Sequence, residues 1–291
     1  MKTEAVARRY RNLDTWPDSE ILDAFLERQL AALASVKPAL ASIEAAAVGA
    51  AERLRHSNGR LIYVGAGTSG RLAVLDSVEL LPTFGWPAER LLYLLAGGEK
   101  ALVRSAEAAE DETADAQRQI AEAKVGPSDV FIGVAASGTT PFTIAAAKAA
   151  RGRGAFTVGL ANNPGTPLLE AAEVGVLLDT GPEVIAGSTR MAAGTAQKVA
   201  LNLFSSLLML RLGRVYSNLM VGVQATNAKL VRRAAQIVAE ISGKSLDEAG
   251  QALERADGDS RVAVLLLRGY GLDEAREILK ATGGNLREVI G

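Results

Sequence analysis

Residues 65–70, Gly-Ala-Gly-Thr-Ser-Gly, follow the apolar run 61–64 and precede a helix-period pattern. Glycines permit a tight turn and a close approach of backbone to ligand, and a helix start offers free N–H groups at the positive end of its dipole. Such a corner holds an anion, most often phosphate. The letters also satisfy the G-x-G-x-x-G dinucleotide pattern. That reading asks for an acid about 20 residues on, at the end of the next strand. The next apolar run, 91–95, ends instead in Ala96-Gly97-Gly98. Thr68 and Ser69 place two hydroxyls at the loop tip beside Gly67, which suits a terminal phosphate. A second loop, Ser137-Gly138-Thr139-Thr140, lies between an apolar run and a helix opened by Pro141. A third, Gly187-Ser188-Thr189-Arg190, opens a long helical pattern. Either of the first two alone reads as ordinary capping. Together the three describe a pocket for a phosphorylated, hydroxylated small molecule, best a sugar phosphate.

Carboxylates come next. Glu79 stands alone among Val74, Leu75, Val78, Leu80 and Leu81. Partial burial there would raise its pKa and keep it protonated, as a general acid requires. The plainer alternative is a helix residue turned to solvent. Glu110 sits with Glu107, Asp111 and Glu112, a run that ordinarily solvates a helix face. That run could in principle hold Mg2+, but no second group of oxygen ligands accompanies it. Glu183 either meets sugar hydroxyls or caps its loop. Lys198 reads as a helix-surface residue. His56, the only histidine, precedes a Ser-Asn-Gly turn and excludes any site needing two histidines.

The elements that must position these groups follow from the pattern. With 48% apolar and 22% charged residues, the 291-residue chain can bury a large core and is not disordered. A net charge of -1 gives no footprint for nucleic acid, and no basic block marks a membrane surface. The absence of cysteine excludes disulfides, thiol nucleophiles and thiolate metal sites. The first 16 residues lack the apolar core of a signal peptide. The longest apolar stretch, near 200–210, is too short to span a bilayer. A cytoplasmic protein is expected.

Strand-like runs at 61–64, 91–95, 130–134, 156–160 and 174–178 alternate with helical patterns at 70–81, 101–123, 141–150 and 168–172. This predicts an α/β fold with a five-stranded parallel sheet flanked by helices, doubly wound, its ligand beyond the strands' carboxyl ends. Three parts are expected. Residues 1–50 form an N-terminal helical arm, for packing or a dimer contact. Residues 51–234 hold the sheet and its following helices, including a long helix over 189–212. Residues 235–291 form a small helical C-terminal module.

These stretches also carry a resemblance. Residues 60–200 resemble a sugar isomerase (SIS) domain, in which Ser/Thr loops hold a phosphosugar. One branch is closer still, the N-acetylmuramic acid 6-phosphate etherases. The matching stretches are GAGTSGR (65–71), LPTFG (81–85), AGGE (96–99), AASGTTP (135–141), GPEVIAGSTR (181–190), AGTAQK (193–198) and NLMV (218–221), with a TE near the start. The C-terminal helices resemble that family's ubiquitin-associated-type module. The resemblance implies a lyase that cleaves the lactyl ether at C3, giving N-acetylglucosamine 6-phosphate and D-lactate by elimination and hydration. It implies Glu79 as the acid toward the departing oxygen and Glu110 as the base at C2, with neither metal nor redox cofactor. Gly67, Thr68, Ser69, Ser137, Gly138, Thr139, Thr140 and Ser188 would hold the substrate. A homodimer is expected, with a small-molecule phosphosugar and no nucleic acid or membrane as partner. The chain departs from the family pattern at Leu80, Leu81, Ala192, Gly222 and 25–28, which bears on fine substrate preference. The rivals are a non-catalytic phosphosugar sensor resembling glucokinase regulatory protein and an aldose–ketose isomerase.

Overall fold

The computed structural model describes residues 1–291 except Ser105 and 224–227, with Glu107 as backbone only. Two units emerge: residues 1–77 with 91–204, and residues 78–90 with 205–291. The divisions expected at 50/51 and 234/235 fall inside the first unit and inside a helix of the second.

In the first unit, two N-terminal helices, α1 (Asp18–Ala34) and α2 (Leu40–Arg55), precede β1 (Leu61–Gly65). Then come α3 (Gly67–Val78), α4 (Leu80–Phe84, in the second unit), β2 (Leu91–Leu95), α5 (Thr113–Glu122), β3 (Val130–Ala135) and α6 (Pro141–Gly152). β4 (Phe156–Ala161), α7 (Pro167–Ala171), β5 (Val174–Leu177) and α8 (Ala192–Arg211) complete the series. Every strand pairing is parallel, in the order β2-β1-β3-β4-β5. The five-stranded parallel sheet expected from the alternating runs is the one observed. β1, β3 and β4 are buried along their whole length, which is why they read as continuous apolar runs rather than alternating ones.

Helices cover both faces. Ile62, Val64 and Phe131 point to the face packed by Ile120 of α5 and Phe142 of α6. α2 packs on β3, β4 and β5 and buries Ile43, Ala47, Ala50 and Leu54. Asp18–Arg55 is long and apolar enough to be considered for a membrane span. A 3-10 turn at Lys37–Ala39, around Pro38, breaks it, and its second half is committed to the sheet.

Two polar locks fasten the sheet, one between the starts of β1 and β3 and one between β1 and the helices beside it. The Asp129 carboxylate, ahead of β3, accepts from Arg60 N at 2.9 Å, Arg60 Nη2 at 2.8 Å and Gly126 N at 3.0 Å. Burial pushes this carboxyl up, but those hydrogen bonds prevail and hold it below the usual aspartate range. The fully buried Tyr63 hydroxyl donates to Asp76 Oδ2 at 3.0 Å, and Asn202 Nδ2 of α8 donates to Asp76 Oδ1 at 2.7 Å. Burial, then the Asp76 charge, raises that phenol well above its ordinary pKa.

The second unit has its own core. α9 (Ala228–Ser242), α10 (Leu246–Arg255), α11 (Ser260–Leu267), α12 (Leu272–Ala281) and α13 (Leu286–Ile290) bury Val238, Leu253, Val264, Leu265 and Leu286 together. Side chains cap the starts of α10 and α11. Ser245 and Glu248 form a capping box, and Asp259 accepts from the N–H groups of Arg261 and Val262. Trp86 is buried, donates Nε1 to Arg90 O at 3.0 Å, and has the Arg90 and Arg214 guanidiniums 4.4 and 5.8 Å from its ring. Burial, then the nearby Arg261 and Arg90 charges, brings Arg214 down to about 10.

Candidate active site

Strand order reverses between β1 and β3, so the crevice for a ligand opens at their carboxyl ends. The first two hydroxyl loops sit there. Gly65 and Gly70 let α3 start directly against β1. A Cβ on Gly70 would lie 2.8 Å from Gly65 C and 2.7 Å from Leu95 Cδ2, so no larger residue fits. Gly67, exposed and left-handed at φ 51°, begins the helix. Thr68 is half-buried and Ser69 nearly buried at 8% exposure. Across the crevice, Ser137 Oγ accepts from Thr139 N at 3.1 Å and lies 3.4 Å from Thr140 Oγ1. Gly138 O accepts from Leu168 N at 3.1 Å, which ties this loop to α7.

The third loop closes on the first. A Cβ on Gly194, in the first turn of α8, would lie 3.7 Å from Thr68 Cγ2. The α8 start is set by Glu183, 1% exposed, whose carboxylate oxygens accept from Ala192 N and Ala193 N, each at 2.9 Å. Of the two roles the sequence left open for Glu183, capping is the one observed. α8 begins at Ala192 rather than 189, because Ser188 and Thr189 belong to turns held by Ile185 O and Gly187 O. Ser188 therefore stands half-buried in the loop before the helix.

Glu110 joins this group. A Cβ built on Gly67 would meet Glu110 Oε1 at 3.0 Å, so the carboxylate overhangs the first loop. The sequence pattern predicted one helix over 101–123. The structure instead has 3-10 turns at Glu99–Leu102 and Glu107–Asp111, and α5 begins only at Thr113. The extra turn lets Glu110 face inward, half-buried, rather than lie on a solvated face. Arg71 fastens the segment ahead of that turn: Nε donates to Ala101 O at 3.0 Å and Nη2 to Arg104 O at 3.1 Å. Arg71 is thus a positioning residue that sequence reasoning passed over.

Glu79 belongs to the second unit, between α3 and α4, where its carbonyl accepts from Thr83 N at 3.2 Å. Its side chain is exposed, as are Leu75 and Val78 beside it. The partial burial expected from its apolar neighbours is absent, because Leu75 and Val78 themselves face outward, and the helix expected over 70–81 is interrupted at Glu79.

The sequence also missed the N-terminal strap. Thr3 is completely buried: its N–H donates to Asn163 Oδ1 at 3.2 Å, and Asn163 Nδ2 donates to Thr3 Oγ1 at 2.9 Å. Lys2 Nζ pairs with Asp179 at 2.5 Å, and Thr139 Oγ1 lies 3.6 Å from Met1 Sδ. Residues 1–4 thus cross the carboxyl ends of β3, β4 and β5. The TE pair near the start was the one signal that could have flagged them. Among the described residues, no group of three or more His, Cys, Asp or Glu gathers as a metal site.

A five-stranded parallel sheet flanked by helices, with hydroxyl loops at its switch point, has the architecture of a SIS domain. Residues 108–207 match the SIS domain family, and 45–150 match the glucokinase regulatory protein N-terminal SIS domain. The fold is also similar to a candidate phosphosugar isomerase of Bacteroides fragilis, with TM-score 0.53 and 18% identity, over 69% of this chain and 95% of that one. An N-acetylmuramic acid 6-phosphate etherase of Deinococcus radiodurans is 50% identical over all of this chain and 95% of its own length. That of Geobacillus thermodenitrificans is 43% identical, over 100% and 98%. The chain belongs to the N-acetylmuramic acid 6-phosphate etherase family.

Proposed function

We propose that this chain cleaves the D-lactyl ether of N-acetylmuramic acid 6-phosphate, and that the loop pocket and two glutamates divide the work. Thr68, Ser69, Ser137, Thr139, Thr140 and Ser188 hold the phosphate and adjoining oxygens, with Gly67 and Gly138 giving backbone access and the α3 and α6 starts adding favourable dipole ends. Glu110 takes the C2 proton of the ring-opened aldehyde. The electron pair forms the C2–C3 double bond as the C3–O bond breaks. Glu79 gives a proton to the departing lactate oxygen, and water then adds at C3 to yield N-acetylglucosamine 6-phosphate. The observation that carries this reading is the Glu110 carboxylate overhanging Gly67 at the loop that grips phosphate. Glu79 enters through its match to the family motif and the need for an acid.

The same reading takes the enzyme as a cytoplasmic homodimer that needs neither nucleic acid, membrane, metal nor redox cofactor, and its C-terminal helices as a ubiquitin-associated-like module. Leu22, Leu26, Leu30 and Leu33 form one exposed apolar face of α1, which a second copy would cover. Incubation with N-acetylmuramic acid 6-phosphate should release D-lactate, and its 6-dephospho analogue should give almost none. Binding of the phosphosugar without D-lactate release would favour a sensor, and release of a ketose phosphate would favour an isomerase.

A further inference from the structure

Among the described residues, nothing hydrogen-bonds or ion-pairs with the Glu4 carboxylate, yet the chain on either side of it is fastened down. Thr3 is buried against Asn163, and Asn163 Nδ2 also donates to Ala136 O at 3.0 Å and Ser137 O at 3.4 Å. One side-chain amide therefore holds both the strap and the loop that carries Ser137 to Thr140. The strap sets Glu4 at the third loop: a Cβ on Gly187 would lie 2.9 Å from Glu4 Oε2. Ordering an N-terminal segment costs backbone entropy, about 1–2 kcal/mol per residue. Such ordering, ending in an exposed and unengaged carboxylate beside Ser188, is hard to account for by packing alone.

We propose that Glu4 is a substrate-orienting residue, whose carboxylate accepts a hydrogen bond from a hydroxyl of the sugar and repels its anionic groups. This rests on the phosphosugar reading of the three loops. The substrate carries a phosphate and a lactyl carboxylate, and both are unwelcome next to Glu4. The neutral, hydroxyl-bearing part of the sugar is not. A carboxylate at Gly187 thus selects the neutral, hydroxyl-bearing part of the sugar at the third loop, and specificity gains from the repulsion as well as the attraction.

The test is steady-state D-lactate release from N-acetylmuramic acid 6-phosphate by the full chain. The variants are Glu4→Gln, Glu4→Asp and Thr3→Val, with Ser69→Ala as reference. Losing a charge-assisted hydrogen bond made equally in ground and transition states should raise KM by about 10- to 100-fold with kcat nearly unchanged. Glu4→Asp should recover part of that, and Thr3→Val should raise KM in the same direction by loosening the strap. A lowered melting temperature with KM unmoved in Glu4→Gln would make Glu4 merely structural and overturn the proposal. An unmoved KM in Glu4→Gln beside a raised KM in Ser69→Ala would overturn it alone. Unmoved KM in both would sink the loop reading with it.

Discussion

Glu110 shows how little a residue's neighbours in sequence reveal about its task. It stands in an acidic run that looks solvated, and only the turn at Glu107–Asp111 swings its carboxylate over Gly67. Glu110→Gln keeps the shape and removes the proposed base. D-lactate release should fall by about 10²–10⁴ in kcat, since positioned proton transfer is worth that much. Retention of normal turnover would remove Glu110 from the mechanism. Asp129 gives a different, structural prediction. Its carboxyl is held below the ordinary range in the fold, so the stability it contributes is complete above the unfolded value, roughly pH 4. It is lost as pH falls through the folded value. Asp129→Asn should cost about 1–3 kcal/mol at neutral pH, because Arg60 keeps some access to water. The gap between the two proteins in urea denaturation should narrow on the acid side. A gap that widens there would refute the sign.

At the scale of elements, close approaches of backbone decide what the loops can be. α3 starts against β1 because Gly70 has no side chain to keep it off Gly65. In the second unit, LPTFG meets NLMV in the same way: a Cβ on Gly222 would stand 2.1 Å from Phe84 O. A side chain at this position has no room here. Gly222→Asp should therefore destabilise the second unit by about 1–3 kcal/mol, the ordinary cost of forcing atoms into packed space. Thermal denaturation followed by circular dichroism would show it, and an unchanged midpoint would mean the Phe84 turn moves aside freely. Glu183 belongs to this scale too. An acid at the third loop invites a role toward substrate, but both its oxygens are spent on the first N–H groups of α8.

For the whole molecule, the open question is association. The α1 leucines are exposed at 66, 59, 58 and 42% for Leu22, Leu26, Leu30 and Leu33, a continuous stripe at helical spacing. Leu26→Lys places a charge in its middle, which a buried interface would not tolerate unpaired. The dimer proposed above should then shift toward monomer in sedimentation for this variant, with the fold retained because Leu26 is exposed on its own chain. An unchanged dimer would place the contact on another face.

The sheet was readable from the chain because its central strands are buried on both sides, and continuous apolar runs have few other uses. The hydroxyl loops were equally readable, since glycine, serine and threonine at strand ends are a local signal. Sequence also marked Glu79, but its environment could not follow: whether a helix continues past Val78 depends on what packs around it, not on the letters. The approach of Glu110 to Gly67 and the strap of Thr3 and Glu4 each join residues far apart along the chain, up to 160 positions for Thr3 and Asn163. Spacing records neighbours in order. Only folding brings distant groups within hydrogen-bond reach, and the site is made of such meetings.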